Sequence, residues 1–98
     1  MEPAELIRRA IHEKNLIEFQ LQGLRRIAEP HLLGLYKGAR QLLFYQVQGE
    51  SRSGDLPAWR RADLAEMSGL RLLEEGFEGP RLPSERHTQW DTVLARVE

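Results

Sequence analysis

Within the first twenty-one residues the spacing of apolar side chains switches from helical to alternate, and this switch does most to restrict the fold. Leu6, Ile7, Ala10 and Ile11 recur at helical spacing behind Pro3, a residue suited to the first helical position, and Glu2 and Glu5 favour the positive end of the helix dipole. Asn15 is the expected left-handed stop. From Leu16 to Gln22 the apolar Ile17, Phe19 and Leu21 alternate with Glu18, Gln20 and Gln22, the period of a half-buried strand. A short helix must therefore hand over directly to a sheet.

The remaining pattern is that of short strands and tight turns. Gly23-Leu24 predicts a type II′ hairpin turn into a strand over Arg25–Glu29, which Pro30 should end or place on an edge; His31–Tyr36 continues as a bent strand up to a turn at Lys37-Gly38. Gln41–Gln48 is the most apolar run and is predicted as the central strand, followed by a polar loop over Gly49–Asp55. Ala58–Leu64 and Ser68–Leu73 read as two more strands joined near Ala65-Glu66. Residues 75–87 carry Gly76, Gly79, Pro80 and Pro83 and are expected to be irregular. Residues 88–97 fit a helix, with Thr88 and Asp91 as a capping box, or a strand through Val93, Ala95 and Val97, the strand being preferred.

The expected fold is thus mainly β with one N-terminal helix (α+β): a small curled antiparallel sheet, or an SH3-like or Sm-like barrel, of about five strands. Ile17, Phe19, Leu21, Leu43, Tyr45 and Leu72 are its expected core. With 98 residues the chain has room for one domain, 1–98, with 76–98 as an irregular C-terminal extension. The acidic start and the lack of a long apolar run argue against a signal peptide or membrane span, and point to a cytoplasmic location with no membrane partner.

Side-chain chemistry narrows the function by exclusion. The chain has no cysteine, which removes disulfides, thiolate metal ligands and thiol catalysis. His12, His31 and His87 stand at no metal-ligand spacing, and Ser51, Ser53, Ser68 and Ser84 lack a nucleophile context. Neither an enzyme, a metal nor a cofactor is expected. Charge is uneven: residues 25–61 hold seven basic and three acidic side chains, net +4, against a net charge of −1 for the whole chain. If Arg26, Arg40, Arg60 and Arg61 converge, with Tyr45 or Trp59 beside them, they can bind an anion by paired guanidinium and ring contacts. Otherwise the basic and acidic blocks neutralise each other across the fold.

The run Arg26-Ile-Ala-Glu-Pro30, the long apolar strand after it, and Arg60-Arg-Ala-Asp-Leu-Ala-Glu-Met67 resemble in order and spacing the WYL domain, a bacterial module. The resemblance spans approximately residues 4–75. Where that family carries its Trp-Tyr-Leu triplet, this chain has Gln41-Leu42-Leu43, of which Leu43 agrees; of the later motif Arg60 is kept, while Ala62 stands for an aromatic, Asp63 and Glu66 for two basic residues and Met67 for an isoleucine. The resemblance implies a small Sm-like or SH3-like barrel and a sensor role in transcription regulation. It implies a stand-alone, divergent, non-enzymatic module for an anionic or nucleotide-like ligand, or weakly for single-stranded nucleic acid; the basic middle segment offers Arg26, Arg40, Tyr45, Trp59, Arg60 and Arg61 as its ligand-binding residues. The alternative is an adaptor whose barrel contacts a protein partner, or a second copy of itself, through an apolar patch near Trp90.

Overall fold

The structure is a computed structural model that describes residues 2–50, 56–81 and 89–98. One helix precedes a curled, antiparallel six-stranded sheet, in agreement with the fold expected from the sequence. Much of the polar loop expected at 49–55, His87, Ser84 and the Thr88 half of the capping box lie outside the described residues.

Helix α1 runs Pro3–Glu13 with Pro3 in its first turn, and it buries Ala4, Ile7, Ala10 and Ile11 along one stripe. Its stop is one residue earlier than expected: Lys14, not Asn15, takes the left-handed conformation (φ 58°), and its N–H closes onto the carbonyls of Ala10 and Ile11. Asn15 is thereby released to begin β1 (Asn15–Leu21), whose Ile17, Phe19 and Leu21 are buried as their alternation requires.

The turn into β2 (Leu24–Tyr36) also sits one residue earlier than expected. Leu21 pairs with Leu24, so Gln22-Gly23 form the loop, both with positive φ (56° and 74°). That is a type I′ turn, with Gly in second place, whose twist matches the strands it joins. Lys37-Gly38 (φ 50° and 81°) repeats the device between β2 and β3 (Ala39–Gly49).

Pro30 does not end β2, but it does lie at a gap in one edge. Pairing to β1 stops at Ala28, pairing to the C-terminal strand β6 (Thr92–Arg96) begins at Leu32, and pairing to β3 shifts register between Pro30 and Leu32. β2, rather than β3, is therefore the strand on which the sheet is centred. β4 (Ala58–Asp63) and β5 (Met67–Gly76) form the two ends of the order β4-β3-β2-β1-β5, and a single 3₁₀ turn, Leu64–Glu66, joins them. Edges joined by so short a link must curl towards each other. Among the described residues β4 and β5 do not pair, so the sheet is curled and open rather than a closed barrel.

The helix plugs the concave side, where Ile7, Ile11, Ile17, Phe19, Leu33, Leu42 and Phe44 form the core and the Phe19 and Phe44 rings meet edge to face at 5.0 Å. Tyr45, expected in the core, is only half-buried on the opposite side of β3. No helix among the described residues is long and apolar enough to cross a membrane.

The C-terminal extension is not irregular throughout, because β6 adds a strand to β2 and Val97 enters the core. Asp91 caps no helix; its carboxylate accepts from the Lys37 N–H at 2.7 Å. Trp90 packs where Gly34 has no side chain: a Cβ there would stand 2.5 Å from the Trp90 ring and 2.7 Å from the Thr92 carbonyl. Gly34→Val is therefore expected to cost about 1–3 kcal/mol by overpacking, and a thermal melt with Trp fluorescence should show an earlier transition and a displaced Trp90. An unchanged melting temperature would contradict this account of how β6 is held.

Candidate functional site

The register of three strands sets one row of side chains. Glu29 of β2 pairs with Tyr45 of β3, which pairs with Trp59 of β4, and directly opposed residues share a face. His31 stands two residues beyond Glu29 and returns to the same face. The His31 Nε2 and Glu29 Oε1 are 2.9 Å apart, and both side chains are buried.

Arg81, from the segment after β5, closes the site. Its Nε donates to Glu29 Oε1 at 2.8 Å and an Nη to Oε2 at 3.0 Å, a two-pronged pairing of guanidinium with carboxylate. The same guanidinium lies 4.4 Å from the centre of the Tyr45 ring. Trp59 meets the His31 ring at 4.8 Å and the Tyr45 ring at 5.2 Å, and Phe77 covers His31 at 5.3 Å. Beside this cluster is a hollow of about 240 Å³ walled by His31, Leu32, Leu43, Trp59 and Pro80, with Arg81 and Arg96 also on its lining.

Burial acts on both titrating groups, with different results. It raises the Glu29 pKa, but the hydrogen bonds and charges of Arg81 and His31 together outweigh it and leave the carboxyl below its ordinary value. For His31 burial is the largest effect and lowers the pKa despite the Glu29 contact. At neutral pH the site thus holds an ionised Glu29 and a neutral imidazole. Since a carboxylate only accepts, Nε2 carries the proton and Nδ1 is the bare nitrogen.

Of the residues singled out in the sequence, Tyr45 and Trp59 meet here, but the four arginines do not converge. Arg26 is buried near the Gly49 end of β3, donating to Gln46 Oε1 at 3.2 Å and to the Leu21 carbonyl at 3.4 Å. Arg40, near the other end, pairs with Glu2 at 2.9 Å. Strand alternation sends the neighbours Arg60 and Arg61 to opposite faces, Arg60 to the side of Phe44. Arg61 stacks on Trp90 (3.7 Å) and Tyr36 (4.6 Å) and donates to Gln41 Oε1 at 2.6 Å and to the Gln89 carbonyl at 2.8 Å. It clasps the C-terminal segment to the sheet.

Glu29, His31 and Arg81 are the site residues that sequence reasoning missed. An acid and a histidine two apart on a strand, either side of a proline, carry a signal that period-two geometry could have read. Arg81 has no local signal. Among the described residues no group of three or more His, Asp or Glu side chains is placed to hold a metal ion.

The two pKa shifts act on stability in the same direction. A histidine whose folded pKa lies below its ordinary 6.5 takes up a proton more readily when unfolded, so stability declines as pH falls below about that value. Glu29 adds stability above its ordinary 4.5 that is lost as pH falls through its lower folded value. The urea midpoint should drop between pH 7.5 and 5.5 and drop further by pH 4, and His31→Phe should abolish most of the first step. An undiminished first step in that variant would remove His31 as its source. No protein-family model, curated protein or solved structure matches the chain.

Proposed function

We propose that the chain is a non-enzymatic ligand-binding module whose hollow beside Trp59 receives the planar ring of a small anionic ligand. One observation carries this reading: aromatic and aliphatic side chains wall a hollow that two guanidinium groups also line. Arg81 and Arg96 against Glu29 leave one net positive charge there while His31 is neutral, which favours an anion. Ligand pockets for drug-sized molecules run to roughly 300–1,000 Å³, and a cavity of roughly 150 Å³ holds benzene. A hollow of about 240 Å³ therefore suits one ring system with a substituent, such as the base end of a nucleotide.

The groups around the imidazole support binding over catalysis. Trp59 and Phe77 face it and offer neither nucleophile nor base, while Glu29 is committed to two donors. Such a fixed wall suits recognition. On this reading the chain is a divergent relative of WYL sensor domains with a regulatory role, and the helix in front of a small curled sheet agrees with it. A protein adaptor stands second, because the outer edges of β4 and β5 carry no strand neighbour among the described residues and a partner could add a strand there. Against it, Val93 is the exposed large apolar residue among those described, too little for an apolar docking patch near Trp90.

Titration of labelled protein with adenosine and uridine monophosphates, and with short single-stranded RNA and DNA at several salt concentrations, tests the proposal. Saturable shifts are expected at Leu43, Trp59 and Arg81. Trp59→Ala should weaken binding roughly 5- to 100-fold, the range for loss of one stacked base. Absence of any saturable response at low salt would put the adaptor ahead.

A further inference from the structure

A second cavity, of about 470 Å³, lies between α1 and the end of β6. Arg8, Ile11 and His12 of the helix, its cap residue Lys14, and Arg96 and Glu98 from the far end of the chain line it. We infer that this groove binds a small phosphomonoester, at a site distinct from the hollow beside Trp59 although Arg96 lines both.

Counted over side chains, three permanent cations against one carboxylate give the groove a surplus of +2, in a protein whose side chains sum to −1. Four arginines elsewhere in the fold pair with acids: Arg9 with Glu13, Arg25 with Glu18, Arg40 with Glu2 and Arg81 with Glu29. Among the described residues Arg8, Lys14 and Arg96 enter no such pair. The helix dipole accounts for a cation at Lys14, next to the helix C-terminus, but not for Arg8 in the middle of α1 or Arg96 on another element. Cations from segments more than eighty positions apart, three of them gathered with the one acidic side chain of Glu98, keep a mutual repulsion that an added anion relieves.

Size and charge then select the ligand. A phosphomonoester carries about −1.5 to −2 at neutral pH, which matches the groove's surplus. The guanidinium forks of Arg8 and Arg96 suit paired phosphate oxygens and the Lys14 ammonium suits a third. The volume falls in the range of roughly 300–1,000 Å³ usual for small-molecule sites, and Ile11 supplies an apolar floor. Glu98, on the same wall, disfavours the second phosphate of a continuing nucleic-acid strand.

The test uses the full chain at low salt with inorganic phosphate, glucose 6-phosphate, glucose and a short single-stranded RNA, followed by amide and side-chain shifts. Glucose 6-phosphate is expected to give saturable shifts at Arg8, Lys14 and Arg96 and to be displaced by sulfate, while glucose gives none. Tighter binding of the ester than of phosphate identifies an esterified ligand; equal binding makes the site one for free phosphate and overturns the ester. Arg8→Gln with Lys14→Asn, the latter chosen because Asn tolerates the left-handed cap, should weaken binding roughly tenfold or more. The charge-preserving Arg8→Lys with Lys14→Arg should retain most of it and controls for folding. Trp59→Ala should leave it intact, so that failure of the groove and failure of the hollow are told apart. Unsaturable shifts, binding retained in the neutralised variant, or preferential saltable binding of the RNA would each overturn the inference.

Discussion

The missing N–H of Pro30 is the constraint around which this sheet is arranged. A proline cannot donate to a ladder, and here β1 leaves β2 at Ala28, before the proline, while β6 joins at Leu32, after it. One edge of a thirteen-residue strand is thus divided between the start and the end of the chain. The register shift against β3 at the same place lets β2 bend, and the bend allows a sheet with only a three-residue link between β4 and β5 to curl over the helix.

The same place holds the most demanding polar groups. Glu29 and His31 flank Pro30 and are buried, and an ionised carboxylate in that position needs fixed donors. His31 supplies one from the same strand, but the charge is balanced only by Arg81, fifty-two positions away. The stretch after β5 must therefore return across β2, and it brings Phe77 and Pro80 over the histidine and the hollow. By contrast the exposed pairs Arg9–Glu13 and Arg40–Glu2 tie little down, since water solvates their charges nearly as well as the partner does. The ion pair that shapes the site is the one whose carboxylate has lost its water.

Much of the fold was legible because local periodicity carries it. The stripe of Ile7, Ala10 and Ile11, the alternation of Ile17, Phe19 and Leu21, and the apolar run of β3 each follow from which side chains must leave water. The errors at Lys14 and Gln22 are one-residue shifts at left-handed positions: adjacent polar residues, Lys14 and Asn15, could each end the helix, and Gly23 suits either place of a two-residue turn, so that long-range pairing chose between them. β6 was only weakly legible, since Thr92–Arg96 is half exposed and depends on contacts to β2 and on the Trp90 ring over Gly34. Of the site, Tyr45 and Trp59 were legible as aromatics on paired strands. Arg81 was not, because its partner is remote in sequence.

Charge summed along a segment does not show where cations gather in the fold, for a physical reason. Consecutive residues of a strand alternate between faces, so Arg60 and Arg61 cannot add their charges, and Arg26 and Arg40 are carried to opposite ends of the β2–β3 pair. The fold uses Arg26 to hold Gln46 and the Leu21 carbonyl, and Arg61 to clasp Trp90 with its flat face while donating to Gln41 and the Gln89 carbonyl, both structural duties. A local surplus of positive charge depends on which distant segments meet and on whether an acid arrives with them. Arg81 arrives on Glu29 and becomes part of a wall, whereas Arg96 comes up beside Arg8 and Lys14 with Glu98 as the single acid on the lining. Residues 62–98, which hold four basic and eight acidic side chains, thus supply cations to both candidate anion sites, and the basic residues 25–61 supply aromatic rings to one of them.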